Sequence, residues 1–147
     1  MATRIQVVID CADSGRLARF WADALGYQRE GPPDGFDSWR AYWRSRGLRE
    51  EMEEDGYDAI VDPAGVGPRI WFQPVPEPKV VKNRLHMDLG VSGGRKVPLA
   101  TRRQRVDAEA DRLAGAGATR LRVLFEEGVD AYAVVMQDPE GNEFCLH

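Results

Sequence analysis

Arg4-Ile5-Gln6-Val7-Val8-Ile9-Asp10 alternates, with Ile5, Val7 and Ile9 on one side and Gln6, Val8 and Asp10 on the other. Period two in β-branched residues predicts a strand. Asp13 or Ser14 follows as an N-cap. Leu17, Phe20, Trp21, Ala24 and Leu25 then recur at i, i+3, i+4, i+7 and i+8, an amphipathic helix that Gly26 stops. Tyr27 to Glu30 is a short strand before Gly31-Pro32-Pro33. Tyr57 to Val61 and Arg69 to Val75 are two more strands, joined by the turn-rich run from Asp62 to Pro68. The order is strand, helix and three strands, with the segment Phe36 to Glu54 inserted. Phe36, Trp39, Tyr42 and Trp43 give that insert a helical spacing, and Glu50-Glu51-Met52-Glu53-Glu54-Asp55 gives it an acidic end.

The pattern then starts again. Leu85, Met87, Leu89 and Val91 alternate with His86, Asp88 and Gly90, a second opening strand. A helix from about Thr101 is marked by Val106, Ala110, Leu113, Ala114 and Gly117. Strands follow at Thr119 to Leu124, Ala131 to Gln137 and Asn142 to Leu146. Asp138-Pro139-Glu140-Gly141 joins the last two, with Pro presetting φ and Gly taking the left-handed position. Gln6 and His86 hold equivalent places, which sets the repeat at 86 − 6, or 80 residues. Two βαβββ modules, 4–78 with an insert at about 35–55 and 83–147, predict a single α+β domain of curved mixed sheets with helices packed on one face.

A chain of 147 residues buries about 70% of the surface its unfolded form exposes, enough for one domain. Net charge is −4, and the one basic run, Arg102-Arg103-Gln104-Arg105, is followed by Asp107, Glu109 and Asp111, so a solvated helix face is expected there rather than a nucleic-acid contact. No apolar stretch approaches the ~20 residues of a membrane span, and no signal-peptide pattern follows Met1. Cys11 and Cys145 are too few for a disulfide framework. A cytoplasmic chain with free thiols is the expectation.

Gly15-Arg16-Leu17-Ala18-Arg19-Phe20-Trp21 through Leu25-Gly26-Tyr27 resembles the first helix of vicinal oxygen chelate proteins, the glyoxalase, bleomycin-resistance and dioxygenase superfamily. Asp138-Pro139-Glu140-Gly141-Asn142-Glu143-Phe144 is similar to that family's closing hairpin, and Arg84-Leu85-His86-Met87-Asp88-Leu89 stands where its second module opens. The resemblance covers the chain except Gly35 to Asp55. It implies paired modules around a ligand cavity and homodimerisation. In metal-using members it implies a divalent ion held from the first and last strands of each module. Carried onto this chain, those positions are Gln6, a residue near Gln73, His86 and Cys145. His86 and Gln6 suit an ion, whereas the two carboxylates usual in glyoxalases are missing at these positions, which disfavours a metal unless a shifted register brings in Glu143, on the strand face of Cys145.

Polar groups converging in an apolar pocket are what a small-ligand site requires. Trp71, Gln73, Glu143 and Cys145 are expected on the face shared by Gln6 and His86, with Val8, Asp10 and Asp88. His86 and Asp88, two residues apart on one strand, point into the same space and form the expected catalytic acid/base pair. Trp39 and Trp43 are candidate ligand contacts, though packing of the insert on its sheet is the plainer account. Cys145 is most simply a small buried hydrophobe. The expected function is a glyoxalase-like enzyme of unassigned substrate with a degenerate or absent metal site. The alternatives are a sequestering protein of the bleomycin-resistance type and a divalent-metal-dependent lyase, isomerase or dioxygenase.

Overall fold

The computed structural model describes residues 2–47 and 58–147, and the chain forms two compact units that meet in sequence at Pro78 and Lys79. The first contains β1 (Gln6–Cys11), α1 (Ser14–Leu25), β2 (Gln28–Arg29), α2 (Trp39–Ser45), β3 (Asp58–Val61) and β4 (Arg69–Pro74). Its strands lie in the order β1-β4-β3-β2; β1 and β4 are parallel and the other neighbours antiparallel. The second contains β5 (Asp88–Leu89), α3 (Leu99–Gly115), β6 (Thr119–Leu124), β7 (Ala133–Gln137) and β8 (Glu143–Leu146). Its order, β5-β8-β7-β6, has the same pattern, with β5 and β8 parallel. Each unit is thus a βαβββ module with one mixed four-stranded sheet.

Local chemistry accounts for the first helix. The Asp13 side chain accepts from the Arg16 N–H at 2.8 Å, and Gly26, at φ 67°, turns the chain out of the helix. Leu17, Ala18, Phe20 and Trp21 are buried, and α1 packs on β3 and β4, where Ile60, Ile70 and Phe72 are buried too. Asp58 is buried under the start of α1, where it accepts from the Ser14 hydroxyl at 2.8 Å and pairs with Arg29. In the second unit Val106, Ala110 and Leu113 of α3 are buried, as are Val134, Met136, Phe144 and Leu146 on the core side of their strands.

Several expectations need correction. The first strand begins at Gln6, so Ile5 is 72% exposed instead of facing the core. The second opening strand shrinks to Asp88–Leu89, and Leu85 is 89% exposed. Its ladder starts only where the Cys145 N–H reaches the Met87 carbonyl at 2.9 Å. Gly117 lies beyond α3, whose last residue is Gly115. Arg102 is buried rather than solvated, because its guanidinium donates to the Val97 carbonyl and pairs with Asp130 while its stem packs inward. Arg103 lies over the rings of Phe125 and Tyr132. In the insert, helix is confined to Trp39–Ser45, and Phe36 belongs to a turn closed on Pro33. The acidic end Glu50 to Asp55, and Tyr57, lie outside the described residues. Among the described residues no helix is long and apolar enough to cross a membrane.

Candidate functional site

Strand register decides which polar side chains meet. In the second unit Asp88 lies directly opposite Cys145 in the parallel β5–β8 pair. Leu89 and Leu146, the next pair, point to the α3 side and are buried. Asp88 and Cys145 therefore share the other face. His86, two residues before Asp88, reaches the same space: its Nδ1 is 3.1 Å from Asp88 Oδ1. One donor atom each from His86, Asp88 and Cys145 lies within 4.8 Å of the others. The imidazole and carboxylate are open to solvent, and Cys145 is half-buried.

Electrostatics separates the two side chains of β8 on that face. Burial, then the charge and hydrogen bond of Asp88, pushes the Cys145 thiol above its ordinary pKa, while Arg122 and Lys82 pull the other way. Glu143 has the opposite setting. Its carboxylate accepts from the Asn83 N–H at 2.9 Å and from Lys79 Nζ at 3.3 Å. The Asn83 bond above all holds it below the usual carboxylate range. Glu143 thus shares the face of Cys145 but is tied to the 79–83 segment.

The first unit carries the remaining candidates. Gln6 is opposite Arg69, Val8 opposite Trp71 and Asp10 opposite Gln73, all on the face away from α1. Gln6 Oε1 accepts from Arg69 Nη1 at 2.7 Å. Arg69 in turn holds Glu30, with its Nε 2.9 Å from both carboxylate oxygens. Trp39 Nε1 donates to the Glu30 carbonyl at 3.1 Å, and the rings of Trp39 and Trp43 stack at 5.8 Å and 20°. Arg69 and Glu30 escaped the sequence reading. Alternation does put Arg69 on the face of Trp71 and Gln73, but only the register puts it beside Gln6.

These contacts test the four-position metal set that the family resemblance implies. Gln73 is four residues along β4 from the partner of Gln6, which is ~13 Å of strand. The position that does face Gln6 is a guanidinium, whose charge repels a cation. The first unit does not supply a pair of ligands, so the two-module set does not fit. The carboxylate beside His86 and Cys145 is that of Asp88, which the sequence already paired with His86 and the opening strand supplies.

Residues 6–147 match the family model described as a glyoxalase-like domain. No curated protein matches the chain by sequence. Among solved structures, the chain is similar to a glyoxalase/bleomycin resistance protein/dioxygenase family enzyme from Burkholderia phytofirmans PsJN. That pair has 18% identity and a TM-score of 0.59 over 96% of this chain and 94% of that one. The fosfomycin resistance protein FosX from Listeria monocytogenes aligns at 9% identity and TM-score 0.63 over 100% and 93%. A second structure of that protein, a mutant in complex with Mn(II) and 1S,2S-dihydroxypropylphosphonic acid, aligns at 9% and 0.62 over 100% and 90%. At these identities the likeness is one of fold.

Proposed function

The chain belongs to the glyoxalase-like domain family, and from that premise we propose that it is a small-molecule enzyme whose reacting centre is the His86, Asp88 and Cys145 cluster. The observation that carries this is the 3.1 Å contact between His86 and Asp88 on an open sheet face, with the Cys145 thiol beside it. An ionised carboxylate only accepts hydrogen bonds, so the imidazole donates Nδ1–H to Asp88 and keeps a lone pair on Nε2. That lone pair takes a proton from a carbon or hydroxyl next to a polarised substrate oxygen, and the same nitrogen returns it at another atom. Asp88 steadies the imidazolium formed between the two transfers. Cys145, directly opposite Asp88 in the β5–β8 pair, sets its thiol beside that carboxylate. Proton relocation of this kind belongs to the lyase and isomerase classes. The substrate is a small oxygen-bearing molecule that acts on the open face of the second unit.

His86→Ala and Asp88→Asn should each lower kcat/KM by about 10²- to 10⁴-fold, the usual size of a general acid–base contribution. The assay is product formation by ligands first found in a thermal-shift screen of the full chain. A second reading, sequestration of a planar ligand, draws on the stacked Trp39 and Trp43. Tight binding that survives His86→Ala, with no product from the wild type, would establish that alternative and remove the enzymatic one.

A further inference from the structure

We infer that Arg122 is a substrate-binding residue, turned by a β-bulge onto the face of the His86, Asp88 and Cys145 cluster, and that the substrate it selects carries a carboxylate or phosphate-type anion. This rests on the proposed function for the place of the reacting atoms and adds to it the class of substrate.

Arg120 and Arg122 are two residues apart on β6, so plain alternation would put both on one face. Arg120 faces α3, where it donates to Asp107 at 2.6 Å and lies 3.7 Å from Asp111. The register of β6 on β7 shifts between the two arginines, from Arg120 opposite Met136 to Arg122 opposite Val135. Met136 is on the core side of β7, so Val135 is on the other side. The extra residue, Leu121, thus turns Arg122 away from α3, and bulges beside functional sites re-aim side chains in this way. Val135 is in turn opposite Cys145, and Cys145 opposite Asp88. Arg122, Val135, Cys145 and Asp88 therefore form one row across the sheet, ~14 Å from end to end at ~4.8 Å per strand.

Charge agrees with that placement. Arg122 is exposed, and among the described residues no carboxylate pairs with it, unlike Arg102, Arg112 and Arg120. Its charge is already felt at the Cys145 thiol, where it opposes the pKa rise that burial and then Asp88 cause. A guanidinium presents two parallel N–H donors, which match the paired oxygens of a carboxylate or phosphate. Lys82 adds charge of the same sign from the 79–83 segment, but as a single point without that fork. Asp88 repels the same anion from the other end of the row. A substrate is thereby oriented, its anionic group toward Arg122 and the hydrogen to be moved toward His86. A charge that only guarded the edge strand against pairing would serve from either face. It would not need a broken ladder to aim it at Cys145.

The test is a titration of the isotope-labelled full chain with lactate, its neutral isostere lactamide, and inorganic phosphate, at neutral pH and constant ionic strength. Amide and arginine N–H chemical shifts read the affinity, and circular dichroism checks folding of each variant. Lactate or phosphate should bind, with shifts in β6, β7 and β8, and the stronger of the two tells a carboxylate from a phosphate preference. Lactamide should bind about tenfold or more weakly than lactate, and Arg122→Gln should weaken the anion by about tenfold or more. Arg122→Lys should recover part of that loss, and Arg120→Gln, on the opposite face, should leave affinity within about twofold. Equal affinity for lactate and lactamide, no anion binding, or anion binding unchanged in Arg122→Gln overturns the inference and leaves Arg122 an edge guard. A loss in Lys82→Ala larger than that in Arg122→Gln overturns it as well. Failure is separable from failure of the proposed function. Anion binding through Arg122 in a chain that turns over nothing leaves this site standing. Turnover of a neutral substrate, with kcat/KM unchanged in Arg122→Gln, removes this site alone.

Discussion

Asp138→Ala should destabilise the second unit more than its place in a hairpin turn suggests. Asp138 is 3% exposed, and its carboxylate organises the whole turn between β7 and β8. Oδ1 accepts from the Glu140 N–H at 2.9 Å, the Asn142 N–H at 3.0 Å and Asn142 Nδ2 at 3.1 Å, while Oδ2 accepts from Asn142 Nδ2 at 2.9 Å. A hydrogen bond to a charged group contributes about 1.5–3 kcal/mol. The donors here are only part-buried and regain water when the carboxylate goes, so the three together come to roughly 2–4 kcal/mol. Asp138→Asn keeps one accepting oxygen and should lose about half of that. At roughly 2–4 °C per kcal/mol for a chain of this size, alanine lowers Tm by about 5–15 °C. Urea unfolding followed by far-ultraviolet circular dichroism measures the loss. Amide exchange at Glu140 and Asn142 localises it. Tryptophan fluorescence is the wrong probe, because Trp21, Trp39, Trp43 and Trp71 all belong to the first unit. The turn also fixes Gln137 opposite Glu143 and Val135 opposite Cys145. A change under about 0.5 kcal/mol in Asp138→Ala, or equal damage from alanine and asparagine, would refute the acceptor count.

Other consequences are checked more simply. Phe144→Ala, at a fully buried ring on the core side of β8, should cost about 3–5 kcal/mol, whereas Leu121→Ser on the exposed edge strand should stay within about 0.5 kcal/mol; urea midpoints decide. Cys145 should be alkylated by iodoacetamide near neutral pH more slowly than a free thiol, since burial and Asp88 raise its pKa, and Asp88→Asn should speed the reaction; peptide mass spectrometry reads both. The Asp62 carboxylate accepts from the backbone N–H groups of Gly67, Ala64 and Val66, which hold its pKa below the ordinary value, that of Gly67 foremost. A depressed folded-state pKa stabilises the fold above the unfolded value of ~3.9 and ceases to as pH falls through the folded one. The Tm advantage of wild type over Asp62→Asn should therefore hold at neutral pH and shrink below about pH 4. An advantage constant down to pH 2 would contradict that linkage.

What the sequence determined by itself was everything that depends on near neighbours along the chain. The helix spacing of Leu17, Phe20 and Trp21, its end at Gly26, the strand Thr119–Leu124 and the turn at Asp138 to Gly141 are written in local periodicity and in single-residue backbone preferences. The repeat of strand, helix and three strands follows from those signals alone. Tertiary structure decided which strands are neighbours and in what register. Pairing of β5 with β8 brings Asp88 to Cys145 across 57 residues of sequence, and pairing of β1 with β4 sets Arg69, not Gln73, against Gln6. It also decided that Arg102 is buried, because Val97 and Asp130 are there to receive its guanidinium. Alternation says which face a side chain takes, but not its height along the sheet or the charge it meets there. Those come from hydrogen-bond ladders between distant segments, and they are what separates a metal-ligand pattern in the sequence from a set of atoms close enough to act together.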